Sequence, residues 1–305
     1  MAGEAPSPAA DNGQLMRLAT YASVAVALGL IAVKIVAYVL TDSVSMLSTL
    51  IDSLLDMAAS LINLFAVRTA LVPPDREHRF GHGKAEPLAA MGQSAFIAGS
   101  AAFLLVEAGN RLFNPTIVQN SAFGIAVMAV SIVATISLVT FQRYVVRRTH
   151  SVAIKADSLH YVSDLLVNCA VIVALILWRQ FGWTFVDPLF AGAIGIYILF
   201  TAWQIAQGAF DVLMDRELPD ASRRRIRDIA LANKAVRDLH DLRTRSSGQS
   251  TFIQFHLELD GDMPLSRAHQ VSDEVEAAIL VAFPGAEVII HQDPEGLEEA
   301  RPRFA

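Results

Sequence analysis

The sequence predicts two parts: an all-α domain of six membrane-spanning helices, then a small C-terminal α+β domain of order αββαβ. Three observations predict it. The chain is 53% hydrophobic and only 18% charged, with a mean hydropathy of +0.43, too apolar for a soluble protein of 305 residues. Six stretches reach the roughly 20 apolar residues that cross a hydrocarbon core. After residue 212 the pattern changes to short alternating runs broken by turn residues. The expected divisions are a disordered N-terminal tail over 1–14, a six-span domain over 15–212 and a cytosolic domain over 213–305.

The tail to residue 14 is rich in Ala, Pro, Ser, Gly and Asp, and no basic segment precedes a cleavage site. The spans fall near 17–40, 44–70, 88–112, 120–142, 157–180 and 186–210. Two of the expected connections, 71–87 and 143–156, carry Arg76, Arg79 and Lys84, and Arg143, Arg147, Arg148 and Lys155. Connections 41–43 and 113–119 carry no Lys or Arg, and the last carries only Arg179 near its start. The positive-inside rule puts the basic connections in the cytoplasm, and an even number of spans then puts both termini there. Arg216 and Arg223 to Arg225, just beyond the last span, agree. Trp178, Trp183 and Trp203 fall near span ends, as interfacial anchors do. Cys169 is the single cysteine, which excludes an intrachain disulfide, and it reads as a small buried core residue.

In the C-terminal segment, Pro219 to Ala232 reads as a helix opened by Pro-Asp. Val236 to Arg245 and Thr251 to Asp260 alternate apolar and polar residues around a Ser-Ser-Gly-Gln-Ser turn, a hairpin signal. Pro264 to Ala282 is helical in period, and Glu287 to His291 reads as a last strand. Helices on one face of a sheet make a small α+β sandwich. Residues 211–305 hold 18 acidic and 12 basic side chains, so the net charge of −6 belongs to this segment, whose field attracts cations.

The chemistry begins inside the spans. Asp52 and Asp56 are four residues apart in the second span, and His160 and Asp164 repeat the spacing in the fifth. A charge at mid-bilayer costs about 3 kcal/mol on the gentlest scales. Positions i and i+4 share a helix face. Two such faces turned together surround one point with three carboxylates and an imidazole, a cage for a divalent cation. Three oxygens and one nitrogen suit zinc, and also cadmium, iron(II) or cobalt(II), whereas an all-oxygen set leans to manganese or magnesium. Lys34 pairs with an acid or snorkels, with no metal role, and Glu107 with Arg111 reads as a structural ion pair. In the loop between spans two and three, Asp75, His78 and His82 lie within eight residues and can close on one zinc. So short a loop offers no obvious partner to orient the rings, which predicts weaker binding than in the membrane.

The segments DSLLD at 52–56, HYVSD at 160–164, DREHRFGHGKAEP at 75–87, HDLRTRSSG at 240–248 and IIHQDP at 289–294 resemble the cation diffusion facilitator family, and within it the bacterial zinc- and iron-effluxing branch. The likeness covers the chain after residue 15. It implies a homodimeric, proton-coupled exporter with six spans and a metallochaperone-like cytosolic domain. The family's transport site falls on Asp52, Asp56, His160 and Asp164, and its loop site on Asp75, His78 and His82. A binuclear cytosolic site falls on His240, His256, His291 and Asp293, with His269 and Gln292 around it. The predicted strands can bring three of those histidines together. The resemblance further implies an interdomain salt bridge of Lys84 with Asp215 and a hydrophobic gate at Leu159.

The expected function is therefore antiport of cytosolic Zn²⁺, with Cd²⁺ or Fe²⁺ as companions, against H⁺ by alternating access. The expected setting is the bacterial inner membrane, in contact with lipid, with no nucleic-acid partner. Catalysis is not expected: the HExxH helix of an intramembrane metalloenzyme is absent, and four protein ligands close the open position that hydrolysis needs. The competing readings are a non-transporting membrane metal sensor and a relative preferring Fe²⁺ or Mn²⁺.

Overall fold

The computed structural model describes residues 8–41, 44–113, 122–183 and 185–296. It separates into two units, Met1–Phe210 and Asp211–Ala305. The first holds the helices α1 (Pro8–Thr41), α2 (Val44–Ala70), α3 (Ala85–Phe113), α4 (Ala122–Thr149), α5 (Val152–Phe181) and α6 (Val186–Leu213). All six are long and apolar enough to cross a membrane. Their outward faces carry exposed Phe65, Phe103, Val133 and Ile196, as hydrocarbon-facing helices should.

Two boundaries and one burial differ from expectation. The first helix begins at Pro8, inside the expected disordered tail. Proline is preorganised for a first turn, and Asp11 there complements the helix dipole. The connection expected over 143–156 shrinks to His150 and Ser151. Arg147 and Arg148 lie in the last turn of α4, where cations offset the dipole, so a basic stretch read as loop is helix. Cys169 is exposed rather than buried, because its span packs only one face inward. Residues 114–121 lie outside the described residues, so of the 113–119 connection only Phe113, the last residue of α3, is placed.

The bundle packs by small residues. Ala90, Ala101, Ala156, Ala202 and Ala209 are buried with Ile97, Ile198 and Ile205 in one cluster from α3, α5 and α6. A Cβ on Gly195 would lie 2.9 Å from the Leu105 side chain, so glycine sets how closely α6 approaches α3. Arg111 holds Glu107 at 2.8 Å, the expected pair, and adds Asp187 of α6 at 3.2 Å. The turn between α4 and α5 is fixed by capping: the Ser151 hydroxyl accepts from the Ile154 N–H and donates to Glu86 of α3 at 2.6 Å.

The second unit follows the predicted order, with α7 (Asp220–Leu231), β1 (Asp238–Ser247), β2 (Ser250–Leu259), α8 (Leu265–Ala282) and β3 (Ala286–Pro294). The sheet order is β1-β2-β3, with β1 and β2 antiparallel and β2 and β3 parallel. Gly248 closes the hairpin at φ 59°, a conformation that only glycine adopts freely. One sheet face buries Leu239, Ile253, Phe255 and Leu257 against Ile226 of α7 and Val271, Val275 and Ile279 of α8. Period-2 alternation sends the residues between them to the opposite face.

Candidate metal centre

Among the described residues, three groups of His and carboxylate side chains gather ligand atoms within 4.8 Å of one another. The first lies inside the helical bundle. Asp56 on α2 and Asp164 on α5 flank His160: its Nε2 is 3.0 Å from Asp56 Oδ1 and 3.9 Å from Asp164 Oδ2. Both carboxylates thus face the same ring nitrogen. Asp52 stands apart from this group and is exposed. Four residues advance a helix by about 6 Å, so the spacing that aligns two carboxylates on one face also separates them along the axis. Lys34 reaches α2 from α1, donating to the Thr49 carbonyl at 3.0 Å and the Ser53 hydroxyl at 2.6 Å. Leu159, the expected gate, packs beside the α3–α5–α6 apolar cluster.

The second group sits in the α2–α3 loop. Asp75 Oδ1 is 3.4 Å from His78 Nδ1, and Asp75 Oδ2 is 3.4 Å from His82 Nε2. The carboxylate also accepts the N–H groups of His78 and Glu77 at 2.6 and 2.9 Å, closing an Asx turn. These backbone donors, that of His78 first, hold its pKa below the ordinary aspartate value. Gly81, at φ 77°, turns the chain so that His82 folds back. An orienting partner for His82, not foreseen from sequence, is present: the Val72 carbonyl lies 3.4 Å from its Nδ1.

The third group lies on the helix-free face of the sheet. Strand register sets His240, His256 and His291 side by side across β1, β2 and β3, with Glu258 and Asp293 paired two residues on. Asp293, 5% exposed, is the hub: its Oδ2 is 2.7 Å from His256 Nδ1 and 3.4 Å from His240 Nε2, and its Oδ1 is 3.1 Å from His291 Nε2. A carboxylate whose two oxygens face different imidazoles is suited to bridge two cations. The ring nitrogens of His240 are buried yet make no directed hydrogen bond among the described residues, although Glu258 lies 3.0 Å from Nδ1. Such donors fit metal ligation.

Two expected members of this third set point elsewhere. Gln292 falls on the opposite face by strand alternation and donates to Ser272 of α8 at 2.8 Å. His269 projects outward from α8, 3.7 Å from Asp273. Sequence reasoning missed Glu258, although its i+2 spacing from His256 was the available signal. It also missed Asp157, three residues before His160 and fully buried. Lys84 and Asp215 belong to different units; within its own unit Asp215 meets Arg245 at 3.4 Å.

Comparison with known proteins agrees with this architecture. The cation efflux transmembrane domain matches residues 20–214, and the cytoplasmic domain of cation efflux proteins matches residues 218–295. The cation-efflux pump FieF of Salmonella arizonae is 52% identical over 282 residues, covering 92% of this chain and 94% of the relative. FieF of Salmonella agona matches to the same extent. A solved structure of the putative zinc transporter CzrB is 41% identical over 26% of this chain and 99% of its own, with a TM-score of 0.25. The metal-bound C-terminal domain of the CzcD transporter from Thermotoga maritima is 28% identical over 26% of this chain and 93% of its own, also with a TM-score of 0.25. With both domain models matched in order and a relative at 52% identity along nearly the whole chain, the protein belongs to the cation diffusion facilitator family of cation efflux transporters.

Proposed function

We propose that this transporter exports Zn²⁺, with Cd²⁺ and Fe²⁺ as lesser substrates, in exchange for protons. It works as a homodimer in the bacterial inner membrane with both termini in the cytoplasm. The observation that carries the reading is the Asp56–His160–Asp164 group, with two carboxylates converging on one imidazole nitrogen between membrane-spanning helices. Buried ionisable groups at this depth are a functional signature, and the mixed nitrogen and oxygen set favours zinc over manganese. Asp52, one helical turn away, completes the set when α2 shifts or rotates against α5.

Each ligand must shed its proton to bind metal, so proton and zinc compete for the same atoms. Zinc entering from the cytoplasm displaces protons, and protons from the opposite side displace zinc once the site has turned outward. The loop group and the sheet group would hold zinc as a regulatory ligand through their histidines and through Asp75 and Asp293.

The test is zinc flux into proteoliposomes under an imposed pH gradient, for the native chain and for Asp56→Ala. Gradient-driven uptake lost in the variant supports the reading. Zinc binding without flux in the native chain refutes it and favours a membrane metal sensor built on the sheet histidines. Running Fe²⁺ and Mn²⁺ beside Zn²⁺ ranks the substrates.

A further inference from the structure

Between the Asp56–His160–Asp164 group and the end of the bundle that bears the α2–α3 loop lies a layer of polar side chains that the transport chemistry does not use. At its centre is Asp157 of α5, 0% exposed. Its Oδ2 accepts from the Ser23 hydroxyl of α1 and the Gln142 amide of α4, both at 2.7 Å, and its Oδ1 accepts from the Gln93 amide of α3 at 3.2 Å. Gln142 Nε2 also donates to Ser23 Oγ at 2.9 Å. One turn along α5, the Tyr161 hydroxyl meets Ser60 of α2 at 3.0 Å and donates to the Ser23 carbonyl at 3.4 Å. One carboxylate and one phenol thus tie together the first five helices.

The position of this layer is set by helix geometry. Asp157 precedes His160 by about 4.5 Å along α5, and Ser60 and Asn63 follow Asp56 by about 6 and 10 Å along α2. Both directions lead toward the α2–α3 loop. Beyond the layer, Met16, Val67, Val145 and Ile154 form a buried apolar cluster, so two successive layers close this end of the bundle. On the other side of the site Asp52 is exposed.

A seal needs no polar groups, since apolar side chains close a bundle without the cost of desolvating a carboxylate. This layer also leaves hydrogen-bonding capacity unused. Asn63 is 1% exposed, yet neither its amide nitrogen nor its amide oxygen finds a partner among the described residues, and Gln142 Oε1 is likewise unmet. Buried polar atoms left unpaired in one arrangement need a reason. Hydration in another arrangement supplies one.

We propose that the Asp157 layer is the loop-side gate of the transporter. Closed, it is the hydrogen-bonded lock seen here. Open, Asp157, Asn63, Ser60, Ser23 and Gln142 line the wetted path that connects the loop side to the transport group. Asp157 is then a positioning residue that sets the balance between the two arrangements. The inference rests on the transport reading above.

The test is accessibility in oriented vesicles. Asn63→Cys is introduced on a Cys169→Ser background, with Ser60→Cys as a second reporter should the first fail to fold. A charged, impermeant methanethiosulfonate is applied from the loop side, at rest and during zinc turnover, with zinc flux measured in the same vesicles. Labelling should be slow at rest and at least about tenfold faster during turnover from the loop side alone. Adding Gln93→Leu, which removes one bond to Asp157, should raise the resting rate several-fold, an effect absent if Asp157 only braces the fold. Continued zinc flux with both reporters unlabelled overturns the gate and leaves the transport reading intact. Absence of flux from the native chain sinks the transport reading and the gate with it. Equal labelling from both sides at rest also overturns the gate.

Discussion

In the α2–α3 loop both ring nitrogens of His82 face acceptors, Nδ1 the Val72 carbonyl and Nε2 the Asp75 carboxylate, each at 3.4 Å. Asp75 itself is held in its ionised form by backbone N–H donors, its pKa displaced downward. A lowered carboxylate pKa contributes stability that is present above the unfolded value of about 3.9 and is lost as pH falls through the native one. The loop turn should therefore survive across the working range. Calorimetric zinc titration at neutral pH should show Asp75→Asn binding more weakly than the native chain. For the transport group the sign is the reverse of a stabilising pair. Protonated His160 excludes metal, so zinc uptake should rise with pH on the metal-donating side and lose that dependence in His160→Ala. Flux assays at several pH values check it. Asp157 escaped notice in the sequence because a lone acid in an apolar run has no i+4 partner, and only its i−3 spacing from His160 marks it.

At the scale of elements, strand alternation decides which residues can hold metal. His240, His256 and His291 share one sheet face, whereas Gln292 turns to Ser272 and the helices. Zinc at about 100 times its dissociation constant should stabilise the folded tail by about 2.7 kcal/mol. That stabilisation should vanish in His256→Ala, persist in His269→Ala, and persist in Gln292→Ala on a lower baseline, as thermal unfolding with and without zinc will show. The αββαβ order was legible because hydrophobic period and turn residues agree along the whole tail. The Gln292 orientation was not, because a strand boundary read a few residues short leaves the face of its end undetermined. In the bundle, Gly195 sets the α3–α6 approach through Leu105. Gly195→Val should cost about 1–3 kcal/mol, read as a lower midpoint of thermal unfolding in detergent.

At the scale of the whole molecule, the proposed topology of six spans would put both ends of the chain on one side. Protease added to inverted vesicles should remove tags from both termini, and protease outside intact cells should spare both. The six spans were legible because each needs only length and apolarity, and their ends slipped where arginines extended a helix that the charge pattern marked as loop. The three clusters share one building rule, a carboxylate facing two imidazoles or an imidazole facing two carboxylates. In the sheet that carboxylate is Asp293, whose two oxygens serve different histidines. The first zinc to bind would freeze Asp293 and its neighbouring ring, so the second would meet a ligand already immobilised. Loading of the tail should then be sigmoidal in zinc concentration, which would make this face a threshold detector that ignores trace metal and answers abruptly to surplus.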